Sequence, residues 1–181
     1  MLALVAKGAD LNDLGFTPSK VTLDSGTTLK GKLCPDDPTT RCFWGVPYAE
    51  PPVGKNRFRP PQPYEYTESS INTKHHASSC MAEGGGDEDC LYLDIYAPAD
   101  GVKVKGVMYY VHGGCFVGDD PSWYTSSDLV KAGDVIVVIP YWRNSVFGFL
   151  GADQLRNRDE VNHSTGNYGS LDLIEGLKWV R

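Results

Sequence analysis

Between Lys105 and Val111 the chain turns apolar and β-rich, then opens directly onto His112, Gly113, Gly114 and Cys115, so that residues 107–116 read VMYYVHGGCF. Two further runs have the same character. Leu91 to Ala97 predicts a strand stopped by Pro98, and Asp134 to Tyr141 predicts another. The continuous Val135–Ile139 stretch in the latter is the pattern of a strand covered on both faces. Between Lys105–Val111 and Asp134–Tyr141, Ser126 to Gly133 predicts a short helix with a serine cap and a glycine stop. Strand, helix and buried strand in that order make an α/β crossover. Upstream, Val21 to Gly31 predicts a hairpin turning at Ser25-Gly26. Residues Pro35 to Pro63 hold eight of the twelve prolines. That density predicts a long ordered surface loop with neither helix nor central strand. Residues 1–20 lack a period and read as a loose lead-in. At the other end Leu173, Leu177 and Val180 share one helical face, flanked by Leu171 and Ile174. The pattern is still running at Arg181 with no residue to close it, as expected of a fragment.

Composition narrows the class. With 41% hydrophobic and 22% charged residues in 181, the chain has the makings of one globular domain. A net charge of -6 argues against nucleic acid or an anionic membrane surface as partner. No apolar run approaches the roughly 20 residues of a membrane span, so no transmembrane segment is expected. The six apolar residues before Lys7 are too few for the core of a signal peptide, about 7–15 residues. The chain is therefore cytoplasmic or lacks its export signal. Five cysteines leave at least one thiol unpaired. Asn162-His163-Ser164 is a glycosylation sequon that matters only in a secreted protein.

Chemistry concentrates at the glycine pair. A strand ending in consecutive glycines lets the backbone approach a ligand and aim N–H groups at developing negative charge. The same residues also read as a plain turn. Esterases and lipases of the α/β-hydrolase class build part of an oxyanion hole from an HGGG-type turn after an early strand. Here Cys115 stands in place of the third glycine.

Five strings in order resemble the type-B carboxylesterase family, which includes the cholinesterases and many fungal lipases. They are FWGVPYAEPPVGKNRFRPPQP (43–63), EDCLYLDIYAP (88–98), YYVHGGCFVG (109–118), WRNSVFGFL (142–150) and GNYGSLDLIEGLKWV (166–180). The FLGADQ passage looks closest to the fungal lipase branch. The resemblance implies the α/β class, as the N-terminal portion of an α/β-hydrolase fold with an incomplete central mixed sheet. Residues 1–20 would be lead-in, and 21–181 the N-terminal part of the domain, truncated before the nucleophile elbow. It also implies a serine carboxylic-ester hydrolase acting on a small-molecule ester or lipid, with no metal or organic cofactor. The family's triad runs in the order Ser, Glu, His. No G-x-S-x-G occurs in this chain, and none of His75, His76, His112 and His163 lies where the catalytic histidine falls, so the chain alone is expected to be inactive.

Residue by residue, the resemblance aligns Gly114 and Cys115 with two backbone donors of the oxyanion hole. A Cβ at a left-handed position costs about 1–2 kcal/mol, and the Cys115 side chain would crowd the acyl carbon. A nucleophilic role for Cys115 lacks an evident base. The family pairs Cys80 with Cys90, a bridge expected to contribute roughly 2.5–3 kcal/mol for this loop size. The alternative is a zinc site with His75 and His76, although the spacing fits no usual pattern. Cys34 and Cys42 are candidates for a second bridge. Disulfides imply an oxidising compartment and so a secreted or secretory-pathway protein, against the missing signal. Glu88 and Arg57 resemble the family's internal salt-bridge partners; two solvated charges are the other reading. Trp44, Trp123, Trp142 and Tyr124 are candidates to line an acyl or alcohol pocket, but aromatic residues at such spacing are more often core, so none is assigned to a site. Two rival readings remain at this stage: a non-catalytic adhesion or binding protein on the same fold, and a truncated gene product. The oligomeric state is not set by the sequence.

Overall fold

Each apolar run read above as a strand is one in the computed structural model, which describes residues 19–99, 105–118 and 120–181. The lead-in at 1–18 lies outside the described residues. A small sheet pairs β1 (Lys20–Thr22) antiparallel with β2 (Thr28–Lys30), and β2 parallel with β5 (Ser70–Asn72). The β1–β2 hairpin turns at Ser25-Gly26, with Gly26 at φ 89°. The main sheet has five strands in the order β3-β4-β6-β8-β7. These are β3 (Lys32–Leu33), β4 (Thr40–Pro47), β6 (Tyr92–Pro98), β7 (Gly106–Tyr109) and β8 (Val135–Pro140). Pairing is antiparallel from β3 through β8, and only β7 runs parallel to β8. The sheet is therefore mixed. Its parallel pair is joined through α1 (Ser127–Gly133), the expected crossover.

Alternation divides the core of β8. Val137 and Ile139 face Val130 of α1 together with Tyr96, Trp44 and the Cys34–Cys42 pair, while Ile136 and Val138 face Phe43, Leu93, Ile95 and Tyr141. Val137, Val138 and Ile139 are fully buried, as the unbroken apolar run requires.

Three expectations fail for physical reasons. β4 is a central strand inside the segment read as proline loop. Pro38 and Pro47 bracket a run with no proline inside it, so the density belongs to the flanks, and the missing N–H of Pro47 falls on the strand's last residue. Ser126 precedes α1 but its side chain makes no capping hydrogen bond, and the stop is Asp134 at φ 49°, one residue beyond Gly133. Aspartate tolerates this left-handed conformation, and its carboxylate pairs with Lys105. The terminal helix, here α3 (Tyr168–Val180), presents to the core Tyr168, Gly169, Asp172, Glu175 and Gly176. Ile174 and Leu177, on the face read as apolar, are about half exposed. Small residues win the inner face because the helix lies too close for leucine: a Cβ on Gly169 would sit 2.3 Å from the Arg143 carbonyl oxygen.

Candidate active site

Past the end of β7, the Tyr110 N–H still donates to the Val138 carbonyl at 2.8 Å, and then the chain leaves the sheet. Gly114, Cys115 and Phe116 follow at φ 102°, 52° and 65°. Two successive L-residues thus sit in the left-handed region, each at a cost of about 1–2 kcal/mol. The turn is closed by the Val117 N–H donating to the Gly114 carbonyl at 3.0 Å. The Phe116 carbonyl accepts from the Ser145 N–H at 2.6 Å, which ties the turn to the start of α2 (Ser145–Phe149). Among the described residues, neither the Gly114 nor the Cys115 N–H has a protein acceptor. Cys115 carries the free thiol and is exposed.

An aromatic cluster surrounds this turn. His112 is buried, with its ring centroid 5.3 Å from Trp142 and 6.3 Å from Tyr124. Phe116 meets Trp142 edge-on at 5.8 Å and Phe149 at 5.2 Å. Of the tryptophans read as core, Trp44 and Trp142 are buried, but Trp123 is 75% exposed. The Asp120 carboxylate accepts from the Ser122 N–H at 2.9 Å and holds Pro121–Trp123 as a single turn, which aims Trp123 outward. Phe116 and Val117, in the turn itself, are exposed as well.

Behind the turn, the backbone is anchored by buried charge. Arg143 gives Nε and Nη2 to the two Asp172 carboxylate oxygens at 2.8 and 2.7 Å, and its backbone N–H adds a third bond at 3.0 Å. Both residues are buried. Arg57 and Glu88 form a two-bond pair at 2.5 and 2.6 Å, so the salt-bridge reading holds and the solvated-charge reading falls. It joins the proline-rich loop to the segment that enters β6.

Cys80–Cys90 and Cys34–Cys42 are both bridged, with Cα separations of 5.0 and 5.2 Å. That removes the thiolates a zinc site would need, and among the described residues no three metal-ligating side chains cluster. His76 Nδ1 instead donates to Asp94 Oδ2 at 2.5 Å, and the ring stacks on Trp44. Asp94 also accepts from the Tyr141 hydroxyl and from the Gly45 N–H, each at 2.9 Å. Gly45 sits at φ 67° where the β4–β6 register shifts, and a Cβ there would strike the His75 carbonyl at 2.8 Å. Burial first, and the Asp94 carboxylate second, push the Tyr141 phenol far above its ordinary range. This polar node was not foreseen, although an aspartate inside an otherwise apolar strand is its signal. Asn162 lies exposed on a loop organised by Asp159.

A mixed sheet with a β7–α1–β8 crossover, ending in a glycine turn at the strand's C-terminal edge, is part of an α/β-hydrolase fold. The sequence profile of the carboxylesterase family matches residues 17–181. Carboxylesterase 1D of Mus musculus is 36% identical over 160 residues, spanning 77% of this chain and 27% of that protein. The para-nitrobenzyl esterase of Bacillus subtilis is 37% identical over 151 residues, 76% of this chain and 30% of its own. The crystal structure of a Geobacillus stearothermophilus carboxylesterase superposes with a TM-score of 0.79 at 34% identity, covering 90% of this chain and 34% of that one. The chain belongs to the carboxylesterase family and spans under a third of the length of these two relatives.

Proposed function

We propose that this chain is the oxyanion-binding part of a carboxylic-ester hydrolase, and that Gly114 and Cys115 are its backbone donors. The observation that carries this reading is a pair of N–H groups, without an acceptor among the described residues, on a turn bent into the left-handed region. In the reaction a serine hydroxyl from the remainder of the protein adds to the ester carbonyl, and a base takes its proton. Charge then develops on the former carbonyl oxygen, where the two N–H groups hold it as the tetrahedral intermediate forms. Collapse expels the alcohol, and water repeats the sequence on the acyl-enzyme. Donors already fixed in place need no reorganisation, and each is worth roughly 10²–10³ in turnover. The exposed Phe116, Val117 and Trp123 supply an apolar wall for the ester's carbon skeleton. Two disulfides support folding in an oxidising compartment, hence the secretory pathway.

The test is p-nitrophenyl acetate. A longer polypeptide that carries this chain and a G-x-S-x-G elbow is expected to release p-nitrophenol with turnover. The 181-residue chain alone is expected to release none. Stoichiometric burst release by the chain alone, or inertness of the elbow-bearing polypeptide, overturns the reading.

A further inference from the structure

The donor segment is held in an unfavourable conformation by something outside itself. Cys115 and Phe116 each prefer negative φ, and among the described residues one backbone hydrogen bond within the turn, from the Val117 N–H to the Gly114 carbonyl, acts against that preference. One side chain touches the segment from both ends. The Trp142 ring contacts His112, just before Gly113, at 5.3 Å, and Phe116, just after Cys115, at 5.8 Å. Trp142 is itself packed on several sides. It is 3% exposed, Phe149 meets its edge at 6.1 Å, and its carbonyl accepts from Asn144 Nδ2 at 2.8 Å. Gly169 of α3 backs the ring so closely that a Cβ there would lie 3.0 Å from Trp142 Cε3.

We propose that Trp142 is a positioning residue. Seated beneath the turn and bracketing Gly113–Cys115, it keeps the Gly114 and Cys115 N–H groups aimed where the oxyanion forms. It touches no reacting atom, and the proposal rests on the oxyanion role of those two residues. Phe149 is the second half of the device, because it contacts both Trp142 and Phe116.

Cys115 supplies its own reporter: the other four cysteines are paired, so a thiol reagent reads the conformation of this turn alone. The experiment measures the rate at which 5,5′-dithiobis(2-nitrobenzoate) modifies Cys115 in the folded 181-residue chain, extrapolated to zero denaturant. Trp142→Leu and Phe149→Leu are each compared with Val130→Ala, a core truncation on the opposite face of the sheet. Both aromatic variants are expected to change the rate by about tenfold, the scale of losing one or two aromatic contacts, while Val130→Ala leaves it within about twofold. Equal rates in the wild type and the aromatic variants overturn the proposal, as does an equal change in Val130→Ala. Should Trp142→Leu fail to fold, Phe149→Leu decides, being only half-buried. In the elbow-bearing polypeptide, Trp142→Leu is expected to lower kcat by about tenfold with KM kept. An unchanged kcat there overturns the proposal. An inactive wild type would overturn the esterase reading instead, and the two failures are thereby separable.

Discussion

Gly114 and Asp159 show how much one residue can commit. Gly114 holds φ at 102°, so Gly114→Ala places a Cβ where L-residues are strained and is expected to destabilise the chain by more than about 1 kcal/mol. In the elbow-bearing polypeptide the same change is expected to cost roughly 10²-fold in kcat, read by steady-state hydrolysis of p-nitrophenyl acetate. Asp159 organises its loop by accepting N–H bonds from Val161 and Asn162 at 3.2 and 2.9 Å and a hydroxyl bond from Ser164. The Asn162 N–H bond chiefly, and the Ser164 hydroxyl next, pull its carboxyl down to about 2. The folded value lies below the unfolded one of about 3.9, so the stability it contributes is complete above about pH 4. It is lost as pH falls through about 2. Thermal melts are therefore expected to show Asp159→Asn less stable than wild type at pH 7, with the gap closing as pH falls through about 2. The family resemblance, and not spacing alone, gave Gly114 its candidate role. Nothing local announced Asp159, whose partners lie two to five residues on and gather only when the loop folds.

Among the elements, α3 carries the clearest lesson about contact. Its leucines invite burial, yet the sheet takes its glycines and acids. Asp172 bonds Arg143 three times, and the Arg143 guanidinium also lies 5.4 Å from the Tyr168 ring. Removing one partner of a buried pair strands the other's charge, so Asp172→Asn is expected to cost about 3–5 kcal/mol by urea denaturation. Gly169→Ala meets the Arg143 carbonyl oxygen at 2.3 Å, an atom that cannot swing away, and is expected to cost about 1–3 kcal/mol in the same measurement. Helical periodicity marked where the helix runs, but its inner face depended on how near Arg143 and Tyr109 come. β4 makes the complementary point. Its apolar core was hidden by counting prolines that turn out to sit at and beyond its ends.

At the scale of the whole molecule, the Cys80–Cys90 disulfide and the Arg57–Glu88 salt bridge tie segments that lie outside the sheet. The Cys80→Ser, Cys90→Ser double variant is expected to lose roughly 2.5–3 kcal/mol of stability in urea, the chain entropy of the opened loop. No change would assign the bridge no constraining role. The sequence by itself determined the strands β6, β7 and β8, the crossover and the carboxylesterase family, because each rests on residues close in the chain or on strings long enough to be specific. The Cys80–Cys90 pairing came only through that family resemblance, and the structure decided between the bridge and the open alternatives for both cysteine pairs. Only the tertiary structure decided that Arg57 meets Glu88, that Asp94 is met by His76 and Tyr141, and that Trp142 lies under the Gly113–Cys115 turn. Those pairings join residues distant in sequence, and their energies arise from burial and close approach, which no local pattern encodes.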